Sequence, residues 1–347
     1  MDLKALEPAN VVLFERWAHP VAARMLPEYT NLDVQYLSLQ DDDAVNFEAF
    51  SKAHVYQARS TRSELPRQFW PDAALLARCP NLLAVSTNGS GTDTVDIDAC
   101  TDAGVLVVNQ AGGNKQGVAE HAIGMMLCLS KKIVQADKAM RKVPDLQREA
   151  YMGNDSYGKT LGIVGIGQVG THVAKMAAGL LNMRVLAYDP LLSDEQISAR
   201  GAEPCTLDAL LSTSDFVSVH CPRTQDSEGM LNASAFAKMK PTAYFITTAR
   251  GGIHDEAALT QALHNQQLAG AGLDVWEDEP PALDHPLLGF DNVLVSPHTA
   301  GVTHESRENT VRGTVEQIDA IARGEQPERL KNPEVWDRYC ERRSKLA

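Results

Sequence analysis

One segment, residues 161–190, constrains the fold more than any other part of the chain. It reads LGIVGIGQVGTHVAKMAAGLLNMRVLAYDP: an apolar strand runs straight into Gly165-x-Gly167-x-x-Gly170, then a helical pattern follows, then a second strand ends at Asp189. A lone GxGxxG is a weak signal, but here strand, helix and terminal acid occur together. The segment therefore predicts a βαβ unit of a parallel, doubly wound sheet.

The residue types of this unit suit a dinucleotide. Gly165 permits a tight turn, Gly167 lets the backbone approach a pyrophosphate, and Gly170 lets the helix pack closely on the strand. The N-terminus of the helix presents free N–H groups to phosphates. Asp189 would accept hydrogen bonds from ribose hydroxyls and repel a 2′-phosphate, and Pro190 supplies no compensating cation. The sequence thus predicts NAD rather than NADP. The cofactor-binding residues predicted here are Gly165, Gly167, Gln168, Val169, Gly170, Asp189 and Pro190.

Apolar runs of strand length alternate with helical patterns along the chain. Several runs are continuously apolar, which is typical of strands buried on both faces of a parallel sheet. The predicted strands are Val11–Glu15, Val34–Leu39, Val55–Arg59, Leu82–Asn88, Val105–Asn109, Leu161–Gly165, Arg184–Asp189, Phe216–Cys221, Ala243–Ala249, Ala269–Val275 and Val293–Ser296. The predicted fold class is α/β with two doubly wound parallel-sheet domains. A Rossmann domain (109–298) is inserted in a flavodoxin-like substrate domain (1–108 and 299–347).

Helix signals fill the gaps between these strands. Ser193 and Asp255 each precede an acidic first turn and are predicted N-caps. Residues from Gly117 to about Lys142 read as one long apolar-periodic helix that bridges the two domains. Its MM-LCL stripe favours packing or a subunit interface, and we expect a homodimer. A last helix, about 303–323, completes the first domain.

Composition excludes several classes of function. The net charge is −13 and the pI is near 5.2, so binding to nucleic acid or to an anionic membrane surface is not expected. No apolar run is long enough to span a bilayer, and MDLKALEPAN lacks the apolar region of a signal peptide. Six cysteines without a CxxC pair indicate reduced thiols, a cytoplasmic protein and no metal site.

Three polar segments follow strands of the second series. They are ITTARGG with Arg250, GLDVWEDEP with Asp274 and Glu279, and VSPHTAG with His298. Ligands of open α/β sheets bind beyond the carboxyl ends of the strands. Taken singly, each residue is more often a surface or structural residue than a catalytic one, but together they predict a site where a cation, a carboxylate and an imidazole converge.

In this order after a glycine fingerprint, these segments resemble the D-isomer-specific 2-hydroxy acid dehydrogenase family. The resemblance covers nearly the whole chain, beginning at NGSGTDTVDIDACTDAGVLVVNQAGGNKQGVAEHAIGMML and continuing through SVHCPRTQDSEGML, ITTARGGIHDEAAL, AGLDVWEDEP and SPHTAG. It implies NAD-dependent interconversion of a small D-2-hydroxy acid and its 2-keto acid.

The resemblance also implies roles for individual residues. His298 is the acid/base, Glu279 its carboxylate partner, and Arg250 the group that binds the substrate carboxylate and keto oxygen. Asp274 lies near the nicotinamide carboxamide. His220, Cys221, Pro222 and Ser227 line the adenosine side and Ala249 the nicotinamide side. These types suit the chemistry, because a protonated imidazole donates a proton near neutral pH, a carboxylate favours the imidazolium, and a guanidinium holds a carboxylate with two hydrogen bonds.

The substrate side of the resemblance is less specific. Backbone N–H groups around Gly89, Ser90 and Gly91 complete the carboxylate site, and Asn88 adds a side-chain contact. The family commonly has Asn after the loop aspartate, and here Thr94 stands there. Arg59 and Arg62 either favour a substrate with a second anionic group or are surface charges, and both interpretations stay open.

Several activities remain open within this family. Glu279 argues against formate dehydrogenase, which has Gln at that position. The roughly fifty residues after His298 are too few for the regulatory domain of large phosphoglycerate dehydrogenases. A short phosphoglycerate dehydrogenase acting on a dianionic substrate, a glyoxylate/hydroxypyruvate reductase and a D-lactate-like dehydrogenase all remain. An NAD(H)-sensing, corepressor-like binding protein is the alternative from another class.

Overall fold

The computed structural model describes residues 8–346. The absence of a signal peptide, predicted from the first ten residues, therefore falls mostly outside the described residues. The chain divides into two compact units: unit 1 comprises the residues up to Asn114 and from Val302 onward, and unit 2 is Lys115–Gly301. The predicted borders, 108/109 and 298/299, are close to these divisions, and the substrate and cofactor roles of the two parts stay predictions.

Each unit is built on one all-parallel sheet. Unit 1 has β1 (Ala9–Phe14), β2 (Leu32–Leu37), β3 (Val55–Ala58), β4 (Ala84–Thr87) and β5 (Leu106–Val108), in the spatial order β2-β1-β3-β4-β5. Unit 2 has β6 (Thr160–Val164), β7 (Arg184–Tyr188), β8 (Glu203–Pro204), β9 (Phe216–Val219), β10 (Tyr244–Thr247), β11 (Gly270–Leu273) and β12 (Val293–Val295). Its order is β12-β11-β10-β9-β6-β7-β8. The first order is flavodoxin-like and the second is that of a Rossmann sheet, so the predicted fold class is confirmed.

Helices cover the sheets. In chain order they are α1 (Val21–Met25), α2 (Asp43–Lys52), α3 (Ala73–Leu76), α4 (Ile97–Ala103), α5 (Lys115–Ser130), α6 (Ile133–Met140), α7 (Gln168–Leu181), α8 (Asp194–Ala199), α9 (Leu207–Thr213), α10 (Ala233–Lys238), α11 (Glu256–His264), α12 (His304–Arg323) and α13 (Trp336–Ser344). Short 3-10 turns lie at Leu26–Glu28, Arg62–Glu64, Arg67–Phe69, Arg148–Tyr151, Pro286–Gly289 and Pro333–Val335. No helix of the described chain combines the length and apolar character needed to cross a membrane.

Burial of the central strands explains their continuous apolar sequence. In unit 1, β3, β4 and β5 are buried at every residue, and in unit 2 the same holds for β9, β10 and β11. All eleven predicted strands are present, each one or more residues shorter at an end or shifted. One additional strand, β8, was not predicted, because it has only two residues and one of them is Pro204.

The prediction of one long helix from Gly117 to Lys142 is wrong, because the helix is interrupted between α5 and α6. The carbonyl of Ser130 accepts a hydrogen bond from the N–H of Asn154 (2.7 Å), and Lys132 takes a left-handed backbone conformation. Helix α5 buries nine of its residues, whereas α6 buries none. Packing thus sustains the first helix, and a competing backbone partner ends it.

Candidate active site

The glycine turn after β6 has the geometry that a pyrophosphate site requires. A Cβ at Gly165 would lie 2.6 Å from the N of Cys221, and one at Gly170 would lie 2.3 Å from the Gly165 carbonyl oxygen. Packing inside the protein therefore accounts for these two glycines. A Cβ at Gly167 would meet nothing within 4 Å, so this glycine leaves open space in front of the turn. The residues present fit a bound dinucleotide phosphate.

Helix α7 begins at this turn without a side-chain cap. Its N-cap is Gly167, and Gln168 and Val169 follow as its first residues. N–H groups in the first turn of a helix have no partner inside the helix and carry the positive end of its dipole. The predicted set Gly167, Gln168 and Val169 is thus brought together at the kind of helix end that suits an anion, and its role in binding the cofactor stays a prediction.

Asp189 stands at the end of β7, as predicted, and contacts the glycine turn. Its Oδ2 accepts a hydrogen bond from the N–H of Ile166 (3.1 Å), and its Oδ1 accepts one from Leu191 (3.1 Å). A cation that the sequence did not predict lies in the same place, because Nη1 of Arg200 donates to the carbonyl of Ile166 (2.7 Å). Arg200 follows α8, eleven positions beyond Asp189, and only the fold brings it to the turn.

The residues predicted on the adenosine side follow β9. Burial lowers the pKa of His220 to about 4, so its ring is neutral, and Nε2 lies 2.8 Å from the hydroxyl of Ser218. Burial raises the pKa of the Cys221 thiol to about 11. The Ser227 hydroxyl donates to the carbonyl of Pro222 (2.7 Å), so this side chain shapes its own loop. Pro222 itself is exposed.

His298 and Glu279 form the pair that the sequence predicts. Nδ1 of His298 lies 2.8 Å from Oε2 of Glu279, and the exposed fractions of the two side chains are 31% and 21%. Within the described chain, the hydrogen bonds of the His298 ring involve Nδ1 alone. The carboxylate therefore orients the ring and leaves Nε2 for another molecule.

The surroundings of Glu279 keep it ionised. Burial would raise its pKa, but the hydrogen bond and charge of His298, the N–H of Trp276 and the charge of Arg250 together outweigh burial and leave the pKa lowered. The Trp276 N–H donates to Oε1 of Glu279 at 3.2 Å. An ionised Glu279 is the form that supports a protonated imidazole.

Arg250 follows β10 on the adjacent loop. Its Nη1 donates to the carbonyl of Ala249 (2.6 Å), and the side chain is half-buried. The next residue must be glycine, because a Cβ at Gly251 would lie 1.8 Å from the carbonyl oxygen of Trp276. The loops that carry Arg250 and Glu279 therefore pack backbone against backbone.

Asp274 is completely buried and holds the loop of His298. Its Oδ1 accepts from the hydroxyl of Ser296 (2.6 Å) and the N–H of Thr299 (2.8 Å), and its Oδ2 accepts from the N–H of Ala300 (2.9 Å). The N–H of His298 donates to the Asp274 carbonyl at 2.7 Å. The predicted contact of Asp274 with a carboxamide stays a prediction, and the structure adds this anchoring role.

Unit 1 has a pocket of its own at the carboxyl ends of β1, β3 and β4. It is lined by residues that include Phe14, Arg16, Trp17, Gln57, Arg59 and Asn88. The strand order reverses between β1 and β3, and such switch points are where open α/β sheets bind ligands. Gln57 is 6% exposed and its Oε1 has no hydrogen-bond partner among the described residues. The pocket is thus lined by two arginines, next to a buried amide oxygen that has no partner among the described residues.

The predicted substrate loop lies beside this pocket. The side-chain oxygen of Asn88 accepts from the N–H (2.9 Å) and the hydroxyl (2.8 Å) of Ser60, and Nδ2 of Asn109 donates to the carbonyl of Ser90 (2.7 Å). The N–H of Gln110 donates to the carbonyl of Gly89 (2.8 Å). These bonds fix the course of the loop from Asn88 to Gly91.

Arg59 and Arg62 have different surroundings. Arg59 lines the pocket, with Nη1 3.8 Å from the Glu64 carboxylate. Arg62 is exposed and lies over the Trp70 ring, 5.6 Å from its centroid. Arg16 and Trp17 also line the pocket, and they were not predicted. The segment Glu15-Arg16-Trp17 could have indicated them, because it directly follows the first buried strand, at the sheet edge where ligands bind.

No group of three or more His, Cys, Asp or Glu side chains within residues 8–346 is arranged to hold a metal ion.

Comparison with known proteins agrees with these features. Residues 123–300 match the D-isomer specific 2-hydroxyacid dehydrogenase, NAD binding domain. The D-3-phosphoglycerate dehydrogenase of Archaeoglobus fulgidus is 42% identical over 253 residues, which are 73% of this chain and 48% of that protein. The glyoxylate reductase of Korarchaeum cryptofilum is 37% identical over 269 residues, 76% of this chain and 80% of that protein. The chain thus spans about half the length of the phosphoglycerate dehydrogenases that it matches.

Solved structures show the same fold. A D-lactate dehydrogenase from Aquifex aeolicus, complexed with NAD and lactic acid, superposes with a TM-score of 0.77 at 28% identity and covers 91% of this chain and 96% of its own. An acyclic imino acid reductase, in complex with NADPH and D-Arg, has a TM-score of 0.80 at 25% identity and covers 92% and 99%. The chain belongs to the D-isomer specific 2-hydroxyacid dehydrogenase family, and it carries that family's NAD-binding domain.

Proposed function

We propose that this protein is an NAD-dependent dehydrogenase that interconverts a small D-2-hydroxy acid and its 2-keto acid. The observation that carries the proposal is the pair of His298 and Glu279, joined at 2.8 Å, because the loop of Glu279 packs against the loop of Arg250. A corepressor-like protein that senses NAD(H) needs the glycine turn, but its binding role does not require this pair.

The residues of the chain divide the work of reduction. When bound, the nicotinamide of the cofactor would supply the hydride. Protonated His298 holds the proton at Nε2 and gives it to the keto oxygen, while Glu279 keeps the ring oriented. Arg250 binds the substrate carboxylate and stabilises the charge that develops on the keto oxygen. In the reverse direction neutral His298 accepts the hydroxyl proton.

We further propose that Asn88, Gly89, Ser90, Gly91 and Arg59 bind the substrate. The surroundings of Arg59 favour one of the open activities, a short phosphoglycerate dehydrogenase acting on a dianionic 2-keto acid. Arg59 and Arg16 line the same pocket, and an isolated anion is most stable where several cations converge. Arg62 lies outside this pocket and would then be a surface charge.

The test is NADH oxidation across a panel of 2-keto acids that includes glyoxylate, pyruvate, hydroxypyruvate and phospho-substituted compounds. Turnover of any of these supports the dehydrogenase, and preference for dianionic compounds supports the role of Arg59. Arg59→Gln should then raise KM for the dianion about 10-fold or more, the cost of one charged hydrogen bond, and the matched variant Arg62→Gln should not. No turnover with NADH binding intact would instead favour the NAD(H)-sensing alternative.

A homodimer in the cytoplasm completes the proposal. Five large apolar side chains between residues 133 and 157 are exposed, namely Ile133, Met140, Val143, Met152 and Tyr157. Contiguous exposed apolar surface is typical of an interface, and we propose that these side chains contribute to one. The six cysteines are all free, as expected in a reducing compartment. Met140→Asp should lower the mass measured by light scattering to that of a monomer, and an unchanged dimer would contradict this interface.

A further inference from the structure

Glu256 is a buried carboxylate that the proposed chemistry does not use. It is the first residue of α11 and only 7% exposed. Its Oε1 accepts a hydrogen bond from the N–H of Glu277 (2.8 Å), and its Oε2 lies 2.9 Å from Nε2 of His285. The two carboxylate oxygens therefore bind Glu277 and His285, which are eight residues apart on one loop.

The tautomer of His285 follows from the second hydrogen bond of its ring. The N–H of Leu287 donates to Nδ1 of His285 at 3.3 Å, so Nδ1 is an acceptor and Nε2 carries the hydrogen. His285 thus donates to Glu256 without needing a positive charge. Its ring packs against Trp276 in a T-shaped arrangement, with centroids 5.4 Å apart and planes at 77°.

The loop held in this way carries Glu279. Trp276, which precedes Glu277, donates its N–H to Glu279 and its indole N–H to the carbonyl of Ser296 (3.2 Å). The backbone N–H of Glu256 in turn donates a hydrogen bond to Oε1 of Glu277 (3.4 Å). Glu256, Trp276 and the loop of His298 therefore form one hydrogen-bonded framework around the pair of Glu279 and His298.

A carboxylate in this position is costly unless its partners are in place. Burial raises the pKa of Glu256, and the charge of Glu277 adds to that, while the Glu277 N–H and His285 oppose it. A buried carboxylate without hydrogen bonds would be neutralised or would move to solvent. The framework explains why an ionisable side chain is retained here.

We propose that Glu256 is a positioning residue that holds both ends of the Glu279 loop and so keeps Glu279 in hydrogen-bond contact with His298. This inference rests on the proposed function, because its kinetic effect is read through His298. It assigns no contact between Glu256 and substrate or cofactor.

The primary test is Glu256→Gln. An amide can accept only one of the two hydrogen bonds, and its NH₂ group faces a second donor, so the loop loses one of its two attachments. We expect kcat for keto-acid reduction to fall about 10- to 100-fold, the effect of a displacement near 1 Å. KM should change little. The pH above which reduction declines should move to a lower value, because a displaced Glu279 would support the protonated form of His298 less well; the same shift is expected when Glu279 itself is replaced by Gln.

A second variant covers the case in which Glu256→Gln fails to fold. His285→Phe keeps the aromatic contact with Trp276 and removes the donor to Oε2 of Glu256. It should shift the pH profile in the same direction by a smaller amount. Combining Glu256→Gln with Glu279→Gln should add no further shift, because both act on the same pair.

Asp215→Asn is the matched control. Asp215 is a half-buried carboxylate of unit 2 that accepts a backbone N–H from Thr160 (2.9 Å) and an ion pair from Lys240 (3.0 Å), but it lies at the amino ends of the strands. Its replacement should lower the thermal unfolding midpoint without moving the pH profile. A folded Glu256→Gln variant that behaves in the same way would overturn the proposal.

A readout independent of turnover separates this inference from the proposed function. With ¹⁵N-labelled histidine, the NMR signals of the His298 ring report the pH at which the ring changes protonation. Glu256→Gln should move that change to lower pH even if no 2-keto acid in the panel is reduced. An unmoved His298 titration in a folded variant would contradict the positioning role, whatever the substrate panel shows.

Discussion

His298 occupies a backbone conformation that few residues other than glycine adopt, with φ at +55°. Such a conformation costs on the order of 1 kcal/mol or more and persists where the surroundings enforce it. Here the enforcement is visible, since the Asp274 carbonyl accepts the N–H of His298 and the Asp274 carboxylate accepts from Thr299 and Ala300. The fold therefore maintains a destabilising backbone conformation that fixes the position of the His298 ring.

His298→Ala should lower kcat for keto-acid reduction about 10²- to 10⁴-fold, because the proton donor is lost. Steady-state kinetics with the preferred keto acid measures the loss, and NADH binding followed by fluorescence should persist. His264→Ala, at an exposed position on α11, is the control and should keep full activity. Turnover near the wild-type value in the His298 variant would remove His298 from the mechanism.

Glu279→Gln should make reduction decline at a lower pH than in the wild type. The structure holds Glu279 with a lowered pKa beside the ring, so the charge present at neutral pH supports the imidazolium, and an amide does not. The pH dependence of kcat measures the effect, with Asp278→Asn as a neighbouring carboxylate control. A profile that coincides with the wild type would exclude Glu279 from proton transfer.

At the level of elements, local sequence predicts what is locally determined. Ser193 caps α8 in a complete capping box and Asp255 caps α11, both as predicted. The break after α5 was not predictable in this way, because it depends on Asn154, which lies 24 positions after Ser130. Arg16, Arg200 and Glu256 were missed for the same reason: their partners are set by topology rather than by neighbouring sequence.

The glycine turn between β6 and α7 is contacted by two groups of opposite charge, Asp189 and Arg200, which bear on the choice of cofactor. Asp189→Ala should narrow the preference for NAD over NADP, because it removes the carboxylate that repels a 2′-phosphate and leaves the Arg200 cation nearby. Kd values for NADH and NADPH measure the preference. Adding Arg200→Gln should reverse most of the gain in NADPH binding. An unchanged preference in Asp189→Ala would refute the role of Asp189.

Across the whole molecule, buried histidines link stability to pH. Burial lowers the pKa of His254 to about 4, and neither ring nitrogen has a partner among the described residues. The unfolded chain takes up its proton near pH 6.5, before the folded protein does, so stability is lost as the pH falls from about 6.5 to 4.

His254→Phe should remove part of this loss, since a phenyl ring fits beside Phe245, whose centroid is 5.5 Å from that of His254. At pH 5 the wild type should have lost on the order of 2 kcal/mol of unfolding free energy through His254 that the variant does not lose. At pH 7.5 this pH-dependent loss should be close to zero in both proteins. Urea unfolding at the two pH values measures it. His220 retains its own acid sensitivity in the variant. Parallel loss of stability in variant and wild type would contradict the prediction.

The discontinuity of unit 1 has a consequence for biosynthesis. One face of its sheet is buried against residues from the far end of the chain, because Ala9, Val11 and Val55 share a core cluster with Ile318, Ile321 and Tyr339. Domains ordinarily fold in the order in which they leave the ribosome. Here the strands made first must wait for α12 and α13, whereas Lys115–Gly301 emerges as one uninterrupted stretch. The unit begun first during translation is therefore the one finished last, and its apolar sheet face needs protection throughout that interval.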